Sequence, residues 1–364
     1  MSRVECLTGL RGVAALVVLL SHIIQIYWLR YEMLPPWIRG VSSISSDFAV
    51  KVFFVLSGFL IAHSIEENVN RNKGLFDVKS YIAARLARIY PPFIFSIAIS
   101  VFVFLFLYVF NMPGVAYPLK FPGDAYSARD YLTLSKNELL FSLIMLQGLL
   151  QLNGPLWSLY IEVKLYLIYA CFYLIILGSK RFSAMIGFSL ISYVAIRLNP
   201  EFLRYATIWL VGSIAYYMFG IVGRRLNSKA AACLLLVAFI VCTDIAKSYI
   251  VSPALSQSPP LILLDLLLAV VISAIVLKFN FRLPLIHDVG TISYSLYVTH
   301  FPVLLFLQSV SVYLSDDSIL KNVVVSFLAL WAALVVGYAG GRLEAKKIEY
   351  QTIIIGILSR LSIR

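Results

Sequence analysis

The chain has 364 residues, 61% of them hydrophobic and only 13% charged, with a net charge of +12. A single soluble core of this size cannot hide so much apolar surface, so the composition excludes an ordinary water-soluble globule and points to lipid as the solvent. The cations gather on no basic arm or stripe, which removes nucleic acid as their explanation.

Long, nearly uncharged runs at 13–20, 93–110, 165–177, 261–277 and 323–336 cover the chain and leave no stretch for a separate soluble domain. With the N-terminus inside, about ten spans are expected near 9–29, 44–65, 89–110, 156–177, 183–198, 205–222, 230–248, 260–277, 290–312 and 322–340. The expected fold class is all-α, a polytopic membrane helix bundle with both termini cytoplasmic. Nineteen of the thirty Lys and Arg residues then fall in inner segments, nine fall outside, and Lys51 and Lys164 lie within spans. This is the asymmetry that cytoplasmic loops show. The first run starts with an arginine, contains a histidine and lacks a small-residue cleavage site, so it reads as a retained span.

The expected layout is a transmembrane domain over 1–341 and a basic amphipathic cytoplasmic tail over 342–364. In that tail cations are mixed with Ile353, Ile354, Ile355, Ile357 and Leu358. The external segment 111–137 is long for a connection within a bundle. Residues 138–153 are apolar but too short to cross, and end at Gly154-Pro155, so an interfacial or re-entrant piece is expected. Together they read either as a cap where an acceptor docks or as a passive connection. Cys6, Cys171, Cys233 and Cys242 have no metal-ligand spacing, so neither zinc nor a disulfide framework is expected.

Ionisable groups inside a span are costly unless they have a partner or a purpose, and four sets stand out. Arg11 and His22 are eleven residues apart, which at about 100° per residue puts both on one helix face, about 16 Å apart along the axis. A rim cation suits phosphate and a deep neutral imidazole suits a base; a topology arginine and a core histidine are the alternative. Arg85 and Arg88, one turn apart before Pro91, suit a phosphorylated ligand or lipid headgroups. Ser158, Glu162 and Tyr166 recur at four-residue spacing, so Glu162 has polar company facing the bundle. Ser293, Tyr297 and His300 form a polar stripe on the ninth span, which helix-to-helix hydrogen bonding also explains. His63 and His287 read as ordinary interfacial residues.

These sets together resemble the membrane acyltransferase-3 family, which O-acetylates bacterial surface polysaccharides and some small molecules. The family's arginine, ten residues, histidine motif is Arg11 to His22, and its paired-arginine motif is Arg85 to Arg88. The signature from Phe53 through Ser57-Gly58 to Leu60, the signature from Trp157 to Glu162, and the pattern from Ser293 to His300 complete the match in the family's order. Where many members carry an acid just before the Phe-Phe pair, this chain has Lys51.

The resemblance implies an O-acetyltransferase of the bacterial inner membrane. Its donor would be acetyl-coenzyme A from the cytoplasm, and its acceptor a hydroxyl of a surface polysaccharide or lipid-linked oligosaccharide, with no metal and no permanently bound cofactor. On this reading Arg11, Arg85 and Arg88 hold the donor phosphates, His22 is the base, and Glu162 or His300 orients it. Ser57, Trp157, Ser158, Tyr166, Ser293 and Tyr297 support the site. The sequence leaves direct transfer and an acyl-histidine intermediate equally open. A different class, a transporter or flippase of acylated or lipid-linked sugar, would use the same His and Glu as a proton relay. The paired arginines at the inner rim, and the absence from the sequence of repeat symmetry or paired broken helices, argue against it. A scaffold without chemistry explains none of the deep polar groups.

Overall fold

A computed structural model describes residues 3–29, 35–120, 129–178, 180–222, 265, 267–272, 284–314 and 318–361. The described elements are helices: α1 (Arg3–Ile23), continued by a π-helical turn (Ile24–Trp28), α2 (Pro36–Arg71), α3 (Val78–Val109), α4 (Lys136–Leu143), α5 (Leu156–Ile176), α6 (Arg181–Leu198), α7 (Phe202–Val222), α8 (Pro284–Thr291), α9 (Ser293–Tyr313), α10 (Ile319–Ala345) and α11 (Lys347–Leu361). Seven helices among the described residues are long and apolar enough to cross a bilayer, within 7–28, 44–71, 78–109, 156–176, 181–198, 293–313 and 319–345. α7 covers the expected sixth span. The expected seventh span lies outside the described residues, and the eighth is described only at 265 and 267–272, where it is helical.

The chain divides into two compact units, one of residues 1–14, 47–81 and 161–287, the other of residues 15–46, 82–160 and 288–364. In the first, α2 and α7 cross backbone to backbone. A Cβ on Gly58 would lie 2.0 Å from the Trp209 carbonyl oxygen, and one on Gly212 would lie 2.1 Å from that of Val55. Helices in lipid gain from such close approach because apolar burial alone does not drive them together. One end of the unit is closed by charge. Buried Lys51 pairs with Asp47 at 2.5 Å and with Asp265, and Arg204 donates to Asp265 at 2.5 Å and to Glu201 at 3.3 Å. The Tyr205 hydroxyl donates to Asp47 at 2.9 Å. The basic residue that departs from the family's acidic position is therefore neutralised by two aspartates from separate elements, as a charge removed from water requires.

In the second unit α9 is buried along most of its length. α10 presents Gly337 and Gly341 to it, and a Cβ at these positions would stand 2.9 Å from Leu296 and 2.5 Å from Ile292. The segment expected to be interfacial or re-entrant is a two-turn helix followed by turns. Ser135 and Glu138 cap each other's backbone to start α4, and regular helix ends at Leu143. Its irregular backbone is satisfied by buried side chains. Tyr160 donates to the Gly148 carbonyl at 3.0 Å, Tyr90 to that of Leu143 at 3.2 Å, and Asn153 reaches the Ser96 hydroxyl and the Val298 carbonyl at 2.9 and 2.7 Å. Non-helical backbone among membrane helices is tolerated where protein supplies its partners. Of the expected tail over 342–364, residues 342–345 complete α10 and 347–361 form α11.

Candidate active site

His22, near the end of α1, and His300, in the middle of α9, meet in the second unit. Their rings stack with centroids 5.3 Å apart and planes 27° apart, and the edge of Phe301 closes on His22 at 5.2 Å. His300 Nδ1–H donates to the Leu296 carbonyl at 3.0 Å, which leaves Nε2 with the lone pair. That Nε2 is buried and has no hydrogen-bond partner. His22 Nδ1–H donates to Gln25 Oε1 at 3.2 Å, so here too Nε2 is the basic nitrogen. Gln25 lies in the π-helical turn that ends α1, a distortion that often marks functional positions.

Around the pair, the Tyr297 ring is 6.1 Å from that of His300, and its hydroxyl is 2.7 Å from the Ser158 hydroxyl. Both hydroxyls also reach the Pro155 carbonyl, at 3.3 and 3.2 Å, in the Gly154-Pro155 break that starts α5. Arg129 lies over the Phe301 ring at 5.8 Å and donates to the carbonyls of Leu150 and Gln151 at 3.1 and 3.4 Å. Gly154 leaves room for it, since a Cβ there would stand 3.0 Å from the guanidinium.

The expected Ser158, Glu162, Tyr166 seam splits. Four-residue spacing makes them neighbours, but the facing helices decide their partners. Ser158 turns to Tyr297, whereas Glu162 belongs to the first unit, where Oε1 accepts from Ser57 at 2.5 Å and from Tyr166. Ser57 in turn accepts from the Trp209 indole at 3.2 Å. The Ser-Gly pair of the Phe-Phe signature thus has two tasks, in that Ser57 holds the carboxylate and Gly58 admits α7. Replacing Gly58 by Ala is expected to force α2 and α7 apart at a cost of about 1–3 kcal/mol. A lower melting temperature in detergent, with the Trp209 fluorescence shifted, checks it.

The remaining candidates are placed as follows. Ser293 donates to the Gly290 carbonyl at 2.8 Å, at the start of α9 and apart from the histidines. Trp157 is half-buried on the first turn of α5, and Arg11 half-buried on α1 in the first unit. Arg85 and Arg88 are half-buried on α3; Arg88 Nε is 3.7 Å from Glu344, which also accepts from Ser295 at 3.4 Å. Among the described residues no group of His, Cys, Asp and Glu is arranged to hold a metal. Sequence reasoning missed Gln25, although it lies three residues after His22, and missed Trp209, Arg129 and Glu344, whose partners are remote in the chain.

The profile of a family described as an acyltransferase domain matches residues 4–342. Protein 2 in the picA locus of Rhizobium radiobacter is 30% identical over 176 residues, 45% of this chain and 79% of that protein. The acyltransferase MdmB of Streptomyces mycarofaciens is 27% identical over 171 residues, 47% of this chain and 39% of that protein. No solved structure matches. With nearly its whole length covered by that profile and its apolar helices suited to cross a bilayer, the chain belongs to the acyltransferase-3 family and is a multi-pass membrane acyltransferase.

Proposed function

We propose that the protein transfers an acetyl group from acetyl-coenzyme A, supplied on the cytoplasmic side of the bacterial inner membrane, to a hydroxyl of a surface polysaccharide or lipid-linked oligosaccharide. The observation that supports this reading is the stacked pair of His22 and His300, each with Nδ1 committed to a protein acceptor and Nε2 left as the base. A sugar hydroxyl is a poor nucleophile until its proton is being removed. His22 Nε2 takes that proton as the oxygen attacks the thioester carbonyl; the C–S bond then breaks, and the proton passes to the departing thiolate. His300 packs against the His22 ring and fixes its orientation, with the Tyr297 ring 6.1 Å from that of His300 and its hydroxyl bonded to Ser158. Glu162, held through Oε1 by Ser57 and Tyr166 in the first unit, is kept as the second candidate for orienting the reaction from the family motif and not from its position.

Arg85 and Arg88 hold the donor phosphates, with Arg11 assigned from its spacing to His22 as a further cation. Arg85→Ala and Arg88→Ala are each expected to raise the apparent KM for acetyl-coenzyme A by about tenfold, through lost charge-assisted contacts. Lysine should restore the affinity only in part, because it binds as a point charge. The reading is tested by giving purified protein acetyl-coenzyme A with envelope glycan and following free thiol. Thiol release that depends on both substrates supports it, and movement of glycan across vesicles without thiol release supports a transporter instead.

A further inference from the structure

An open groove of about 440 Å³ lies between α11 and α3. Leu86, Ala87, Tyr90 and Pro91 form one wall, Tyr350 and two isoleucines of α11 the other. The Tyr90 hydroxyl is already spent on the Leu143 carbonyl, so Tyr350 brings the other polar side-chain group of the lining. The groove therefore suits a hydrocarbon chain. The pantetheine arm of a thioester donor carries two amides that these walls could not satisfy, and burying them unpaired is costly.

The surroundings of the groove are cationic. Lys346 and Lys347 are exposed at the joint between α10 and α11, and Tyr350 N–H donates to the Lys346 carbonyl at 3.2 Å, so the lysines stand one turn from the lining. Exposed Arg342 lies one turn earlier, and Glu344, the nearest acid on α10, is engaged with Arg88 and Ser295. Exposed Glu349 on α11 offsets part of this charge and leaves the cations in excess. α11 also exposes Ile348, Ile355 and Ile357, an apolar set that belongs in lipid rather than water.

We propose that the joint between α10 and α11, with the α3–α11 groove, is a binding site for one anionic phospholipid. An acyl chain fills the groove, and the phosphate-bearing head lies against Lys346 and Lys347. A zwitterionic head would leave its ammonium beside these lysines, which is the source of the preference for net negative charge. Its α3 wall includes Leu86 and Ala87, between Arg85 and Arg88, so the lipid site adjoins the cations that the proposed function gives to the donor.

The test is native mass spectrometry of the whole protein, delipidated in detergent and titrated with phosphatidylglycerol or with phosphatidylcholine of the same acyl chains. The first phosphatidylglycerol is expected to bind about twentyfold more tightly than the first phosphatidylcholine. The double change Lys346→Gln and Lys347→Gln, at exposed positions that leave folding intact, should abolish that preference. Ile354→Trp, which fills the groove, should remove the tight first site for both lipids. Equal binding of the two lipids by the unaltered protein, or an undiminished preference in the double variant, overturns the proposal. So does an Ile354→Trp variant that keeps its lipid and loses affinity for coenzyme A, which would make the groove a donor subsite.

Discussion

Replacing His22 by glutamine is expected to leave a folded, membrane-inserted protein whose acetyl transfer falls by about 10²-fold or more. The carboxamide can still donate to Gln25, the bond that the imidazole makes at 3.2 Å, but it cannot accept a proton at neutral pH. Affinity for the donor should change little, since the cations assigned to it lie elsewhere. A histidine that merely packs against His300 and Phe301 predicts the opposite pattern: His22→Ala lowers yield and melting temperature, and activity per folded molecule survives. Turnover by well-folded His22→Gln within a few-fold of the unaltered protein would return the base to His300 or Glu162.

Lys51→Glu is expected to be among the most destabilising single changes, at about 3–5 kcal/mol. The Lys51 side chain is 6% exposed and that of Asp265 4%, so water does little to relieve either charge. Reversal of the charge sets a third carboxylate beside those of Asp47 and Asp265, with Arg204 alone to offset them. The loss should appear as a lowered melting temperature in detergent and poor yield. Lys51→Gln should cost less than Lys51→Glu, because it adds no third carboxylate to the cluster, and a charge swap with Asp265 should not rescue, since it would set a lysine beside Arg204 and an aspartate beside Asp47. An unchanged melting temperature in Lys51→Glu would mean that the cluster is solvated and holds nothing together.

What was legible in the sequence follows from the range of each interaction. Apolar runs and helix punctuation are local, so the Gly154-Pro155 break and the start of α9 near Ser293 were readable. The four-residue spacing that brings Tyr166 to Glu162 was also readable. The partner of Ser158 was not, because nothing near position 158 encodes that Tyr297, 139 residues away, supplies the other hydroxyl. The same holds for Lys51, whose span position looked costly until Asp265 arrived from a distant helix. His22 and His300 were each visible as polar groups in apolar runs. Their stacking depends on how α1 and α9 pack, and a pattern along one helix cannot show that. Gln25 is the one omission a local rule would have caught, at helical spacing from His22.

The central claim is tested most directly with inverted membrane vesicles given acetyl-coenzyme A radiolabelled in the acetyl group. Label is expected to pass to the envelope glycan fraction as an ester removable by mild alkali, in proportion to the amount of protein in the vesicles, and to fall to background in vesicles carrying His22→Gln. Equal labelling of that fraction in vesicles with and without the protein would contradict the account.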